Sequence, residues 1–157
     1  MKYNKIIAGL TLTSIFLLST ITGCSKSQPR EKNPVNSHGN LSVEGPFLMD
    51  QYGEPITLRG YGFFWHQWQE GKHFYNKECV KWLQDDFRVT VIRPWIGAEA
   101  DSAYIYDREF AIKQCNTMVQ AAIDLGLYVI IDFHSHKAAE HMDMAIEFFK
   151  KKKKKWG

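Results

Sequence analysis

From Leu41 onward the chain alternates short apolar runs with longer amphipathic stretches. Pro46-Phe47-Leu48-Met49 and Pro55-Ile56-Thr57-Leu58 flank the turn-forming Asp50-Gln51-Tyr52-Gly53, which predicts a small hairpin. Its second arm runs on into Arg59-Gly60-Tyr61, a first main strand. Asn76 is a helix cap, and Lys77 to Phe87 places Val80, Leu83 and Phe87 along one face at helical spacing. Val89-Thr90-Val91-Ile92-Arg93 is a β-branched run stopped by Pro94. Asp107 caps a second helix whose stripe is Ile112, Cys115, Val119, Ala122 and Ile123. Gly126 comes next, where a helix end favours a left-handed residue. Leu127 to Ile131 is nearly all apolar and predicts a strand buried on both faces. Ala139 to Lys150 predicts a third helix, with Met142, Ile146 and Phe149 at helical intervals.

Strand and helix thus alternate three times, which implies parallel strands joined by crossovers. An open doubly wound sheet and a (β/α)8 barrel both fit. No Gly-x-Gly-x-x-Gly turn follows a strand, which weakens the nucleotide-binding version. The three strand ends carry Trp65-His66-Gln67-Trp68, Arg93-Pro94-Trp95 and Asp132-Phe133-His134-Ser135-His136. Polar and aromatic residues at those ends suit a barrel, whose active site sits at its C-terminal face. A barrel takes roughly 250 residues, about twice the length of chain after Cys24. The expectation is therefore a partial (β/α)8 (TIM) barrel over 41–157, three βα units and a hairpin, with one sheet edge unpaired. Either a partner completes that edge or the fragment is unstable.

The first residues read differently. Lys2 and Lys5 precede an apolar stretch from Ile6 to Leu18, too short to span a bilayer comfortably and suited to a signal peptide. It ends in Ile21-Thr22-Gly23-Cys24, which resembles the lipobox of bacterial lipoproteins; the alternative is an ordinary secretory signal that happens to hold a cysteine. The expectation is a signal peptide over 1–23, lipidation of Cys24, and an extracytoplasmic protein tethered to a membrane. Each buried acyl methylene contributes roughly 0.8 kcal/mol to such anchoring. Ser25 to Asn40 is polar with almost nothing apolar, so 24–40 is expected to be a flexible tether.

Charge adds little to this. The net charge is +3, but Lys2, Lys5 and the run Lys150 to Lys155 carry more than that excess, so the body is mildly acidic. That argues against a nucleic-acid partner despite the basic run. The run is read as the last turns of a helix whose frame ends abruptly, an adenine-rich tract being a place where reading frames slip. Cys79 and Cys115, each on a predicted helix, are read as two buried thiols or one disulfide.

The motifs match a family. Leu58-Arg59-Gly60 leading to Phe64-Trp65-His66-Gln67-Trp68 resembles the first-strand region of family 5 cellulases. Lys81-Trp82-Leu83-Gln84-Asp85-Asp86-Phe87 with Val91-Ile92-Arg93 resembles its first helix and second strand. Ala121 to His134, ending in Asp132-Phe133-His134, resembles its second helix and third strand, with Phe133 where the family usually has tryptophan. The resemblance implies a retaining β-1,4-glycanase that needs no cofactor or metal and acts on a β-linked polysaccharide. It implies that Arg93 positions the nucleophilic carboxylate and that His134 helps bind sugar. The histidine common in the first-strand loop is replaced by Phe64, with His66 two residues on.

Retaining hydrolysis uses two carboxyl groups roughly 5 Å apart. In this family they follow the fourth and seventh strands, beyond Gly157, so neither catalytic glutamate is expected here. Glu99, Glu140 and Glu147 match nothing catalytic. Trp65, Trp68 and Trp95 at the strand ends suit stacking on sugar rings. His136 shares a strand face with His134, so two other readings stay open. One is a metal-dependent hydrolase using His134 and His136; the other is a non-catalytic glycan-binding lipoprotein.

Overall fold

The computed structural model describes residues 33–156. The signal peptide, Cys24 and most of the tether lie outside the described residues. The last part of the expected tether is instead a short helix, α1 (Pro34–His38). Asn33 caps it by accepting the Asn36 amide, and Pro34, at the first turn, is buried. The Val35 amide donates to the Gly126 carbonyl, and the Tyr128 hydroxyl donates to the Gly39 carbonyl at 2.8 Å. Average composition does not register one capped turn pinned to the end of a barrel wall.

The expected first arm of the hairpin forms but pairs with a different partner. β1 (Ser42–Glu44) pairs antiparallel with β2 (Phe47–Met49) around Gly45, whose φ of 57° favours glycine. Pro55, expected in the second arm, makes a single bridge to Met49. Proline has no amide proton, so that second ladder does not extend as a strand.

The main sheet is parallel. β3 (Gly60–Phe63) pairs with β4 (Val91–Gly97), and β4 pairs on its other side with β5 (Tyr128–Val129) and β6 (Asp132–His134). The same register runs through both short pieces, from Val91↔Tyr128 to Gly97↔His134. They are one strand interrupted. The expected stop at Pro94 therefore moves to the neighbour: β4 runs through the proline, and the gap at Ile130 and Ile131 lies opposite it. The Ile130 amide donates to the Ile92 carbonyl. In a parallel ladder the return bond would come from residue 94, which has no N–H to give.

Helix α2 (Gln69–Lys72) is a single turn in the loop after β3. Helices α3 (Lys77–Phe87) and α4 (Arg108–Leu125) start where their caps predict. Asn76 accepts the Cys79 amide, and Asp107 accepts the Phe110 amide at 2.9 Å. Gly126 closes α4 in the left-handed region with φ 67°. Ile92, Pro94 and Ile96 of β4 are fully buried on the helical side, in a core with Val80, Leu83, Met118, Val119 and Ala122. Arg93 and Trp95 alternate to the opposite face. With its helices on one side only among the described residues, the sheet is a section of barrel wall rather than a doubly wound sheet.

Several predicted inward positions are exposed. Phe87 and Ile123 are about half exposed at 49% and 52%, as is Trp82 on the same helix as Phe87. Ile130, expected to be buried, is 50% exposed, because β5 and β6 have a neighbour on one side only among the described residues. The third helix, α5 (Met142–Trp156), starts later than expected and carries the whole lysine run. It buries Phe148 against Tyr104 and Phe133 instead of Met142, Ile146 or Phe149. Lys152 is buried too; it lies over the Phe148 ring and donates to Asn116 Oδ1 at 2.8 Å. Cys79 and Cys115 are free thiols, the latter buried.

Candidate functional site

The C-terminal ends of the three main strands bring together the residues that the sequence singled out. β4 turns Arg93 and Trp95 away from the helices, and β6 presents Asp132 and His134 beside them in register, Trp95 opposite Asp132. Arg93 Nη2 lies 3.1 Å from Asp132 Oδ2, and His134 Nδ1 lies 3.1 Å from that same oxygen. A carboxylate only accepts hydrogen bonds, so Nδ1 of His134 donates to Asp132 and Nε2 is left for another partner. The His134 ring stacks on Trp95 at 4.7 Å and 9°, and the Arg93 guanidinium lies over the same indole at 5.5 Å.

The three tryptophans divide by exposure. Trp68 is 43% exposed and keeps an open face, supported at its edge by Phe64. Trp65 is 8% exposed, lying against Trp68, His134 and His136. Burial therefore takes Trp65 out of the expected role of sugar platform and makes it the support on which both histidines rest. Trp95 is half-buried and committed to His134 and Arg93.

His66 does not face the rim. It is fully buried between the rings of Tyr75 and Phe110, and its Nδ1 accepts the Gly97 amide at 3.1 Å. Burial pushes its pKa down to about 4, so it is neutral with the proton on Nε2. The Tyr75 hydroxyl and the His66 amide both donate to the Trp95 carbonyl. These bonds fasten the loop after β3 to the end of β4, and so hold Trp65 and Trp68 beside Arg93.

One cluster was not foreseen. Glu99, on the loop after β4, accepts the His136 amide and lies 3.4 Å from His141 Nδ1, which is also 3.0 Å from Ser135 Oγ. Burial raises the Glu99 pKa, but hydrogen bonds from Ser135 and the His136 amide, with the two histidines nearby, hold it below the usual range. Ser135 and His136 belong to the third strand end that the sequence marked, but Glu99 lies 37 residues from His136 on another loop, so no local signal announced its joining them. The histidine pair expected as a metal alternative packs ring to ring at 5.5 Å. Among the described residues no group of three or more His, Cys, Asp or Glu comes together to hold a metal ion.

Three comparisons bear on this arrangement. The family profile described as Cellulase (glycosyl hydrolase family 5) matches residues 49–156. Endoglucanase N of Pectobacterium atrosepticum is 37% identical over 135 residues, covering 85% of this chain and 29% of its own length. An endoglucanase of Clostridium saccharobutylicum is 30% identical over 146 residues, covering 91% and 32%. The chain therefore spans about a third or less of these curated relatives. A solved structure from Cytophaga hutchinsonii superposes with a TM-score of 0.76 at 41% identity, covering 80% of this chain and 40% of that one. The catalytic domain of a Thermobifida fusca endoglucanase superposes at 0.68 with 28% identity, and a variant of it is solved with cellotetraose.

Proposed function

Because this chain belongs to glycosyl hydrolase family 5, we propose that its rim is the sugar-binding part of an endo-acting β-1,4-glucanase. The observation that carries the reading is the Arg93–Asp132–His134 group, fixed at the strand ends beside the open face of Trp68. Trp68 offers an apolar platform to a pyranose ring. His134 Nε2 and the free edge of the Arg93 guanidinium offer hydrogen bonds to sugar hydroxyls. Asp132 is committed to Arg93 and His134, and Glu99 to Ser135, His136 and His141. Neither is free to act as general acid or nucleophile. The reading therefore gives these residues binding and positioning, with both steps of retaining hydrolysis assigned to other carboxylates.

The test is a titration of the purified chain with cellotetraose, monitored by calorimetry and by release of reducing ends. Saturable binding, weakened by Trp68→Ala and without hydrolysis, is the expected result. Turnover by this chain would overturn the division of labour; no binding would overturn the glycan assignment.

We also propose that Cys24 is lipidated and holds the protein to a bacterial membrane outside the cytoplasm. Lys2, Lys5, the apolar run and Ile21-Thr22-Gly23-Cys24 support this. Metabolic labelling with a radioactive fatty acid checks it: label present in the parent and lost in Cys24→Ser is expected, and label that persists would refute it.

A further inference from the structure

One side chain ties the loop after β4 to the loop after β6. Glu99 Oε1 accepts the His136 amide, and Oε2 lies 3.4 Å from His141 Nδ1, which is also 3.0 Å from Ser135 Oγ. The Lys137 amide donates to Ser135 Oγ, and the His141 amide donates to the Lys137 carbonyl. Residues 135–141 thus fold into one compact turn around the Glu99 carboxylate. The chain that delivers Glu99 is strained. Ala100 and Ser102, just after it, have φ of 84° and 61°, a left-handed region that residues other than glycine rarely adopt. Such conformations persist where surrounding contacts over-determine them. Here those contacts are the fully buried Ala103 and Tyr104, the bond from the Tyr104 amide to the Gly97 carbonyl, and Glu99 itself.

His136 is what this clamp delivers to the rim. Its ring lies 5.3 Å from Trp65 and 5.5 Å from His134. Trp68 rests on the same Trp65 indole at 5.5 Å. One buried indole therefore carries two exposed rings, an apolar platform and an imidazole that can hydrogen-bond a hydroxyl. This is the mouth of the barrel, where a closed (β/α)8 barrel keeps its active-site cleft, so further strands extend this surface and leave it open.

We propose that His136 is a further sugar-binding residue of the rim and that Glu99 is its positioning residue, holding the imidazole against Trp65 for a glycan that also stacks on Trp68. The inference deepens the glucan reading and rests on it. A glucan chain stacked on Trp68 presents ring hydroxyls to its flanks, and a few fixed polar groups beside an apolar platform orient such a ligand. Glu99 itself touches no sugar. One of its oxygens is taken by the His136 amide and the other lies beside His141, so its effect on binding passes through His136. Without Glu99, residues 135–141 lose their tie to the β4 loop and the imidazole samples other positions, which binding must then reverse.

The experiment is a double-mutant cycle on the full chain, with cellotetraose affinity measured by calorimetry and folding checked by thermal melting. Glu99→Ala and His136→Ala should each weaken binding roughly three- to tenfold, the range of one hydrogen bond. The double variant should bind no more weakly than His136→Ala alone, because Glu99 acts only through His136. Glu99→Gln still accepts the His136 amide and should keep most of the affinity. A shift of the His136 imidazole protons on adding cellotetraose should be seen by NMR in the parent and in Glu99→Gln, and should vanish in Glu99→Ala. Additive losses in the double variant, or full affinity in either single alanine variant, would sink the proposal and leave the glycan reading standing. A parent that binds no cellotetraose would sink both. Should Glu99→Ala unfold, the cycle is run with Glu99→Met, which keeps the volume and accepts no bond from the His136 amide.

Discussion

Arg93 and His134 share one carboxylate oxygen: Asp132 Oδ2 lies 3.1 Å from Nη2 of the arginine and 3.1 Å from Nδ1 of the histidine. They stand on neighbouring strands, so a single acid sets the pose of both. Asp132→Asn keeps the shape but can turn an N–H toward His134. The expected outcome is loss of the fixed Nδ1–H tautomer, visible in the imidazole 15N shifts, and about tenfold weaker cellotetraose binding. Charge-assisted hydrogen bonds contribute about 1.5–3 kcal/mol when sheltered, and the half-exposed Arg93 brings less than that. An unchanged tautomer and affinity would remove Asp132 from the site.

The tryptophans separate binding from stability. Trp68→Ala is expected to weaken cello-oligosaccharide binding roughly three- to tenfold, the range of an aromatic contact, with little change in melting temperature. Trp65→Ala removes a buried indole under His134 and His136 and is expected to cost about 3–5 kcal/mol. Parallel thermal melts and titrations check both. Equal effects of the two substitutions on stability would contradict the division by exposure.

His66 makes stability depend on pH. Its folded pKa, about 4, lies below the ordinary 6.5, so protonation favours the unfolded chain. Its contribution is complete above pH 6.5 and is lost as pH falls from there toward 4, by about 3 kcal/mol in all. His66→Asn keeps an acceptor for the Gly97 amide without titrating. Urea midpoints measured from pH 7 to 4 should fall less steeply in the variant than in the parent.

Gly126→Ala tests the attachment of α1. Gly126 has φ 67°, and a Cβ there would lie 2.2–2.3 Å from side-chain atoms of Asn33, the α1 cap. Backbone strain of about 1 kcal/mol joins a collision that must displace Asn33. Hydrogen exchange at the Val35 amide, bonded to the Gly126 carbonyl, should accelerate by at least tenfold while the amides of α4 stay protected. Unchanged exchange at Val35 would show that α1 is held by other contacts.

Helix starts were legible in the sequence because caps are local. Asn76, Asp107 and Gly126 each act on backbone groups within four residues, and α3 and α4 begin and end accordingly. Strand ends rich in arginine, histidine and tryptophan were legible for a similar reason: fixed alternation along a strand sends alternate residues to one face. The inward stripe of α5 was not. Met142, Ile146 and Phe149 have the right spacing, yet Phe148 and Lys152 are buried, because the side that packs depends on where α4 and β6 stand. Asn33 to Asn40 misled in the opposite direction: a polar composition concealed one capped turn held by Gly126 and Tyr128.

The amino-acid sequence by itself determined the alternation of strands and helices, the family and the side of the sheet that carries the chemistry, since periods and caps act over a few residues. Tertiary structure alone decided that Trp65 supports while Trp68 faces solvent, that His66 is a buried clamp, and that Asp132 joins Arg93 to His134. It also brought Glu99 to His141 from a distant loop. Burial and pairing depend on what lies across the sheet or along its edge, and that neighbour comes from a distant part of the chain.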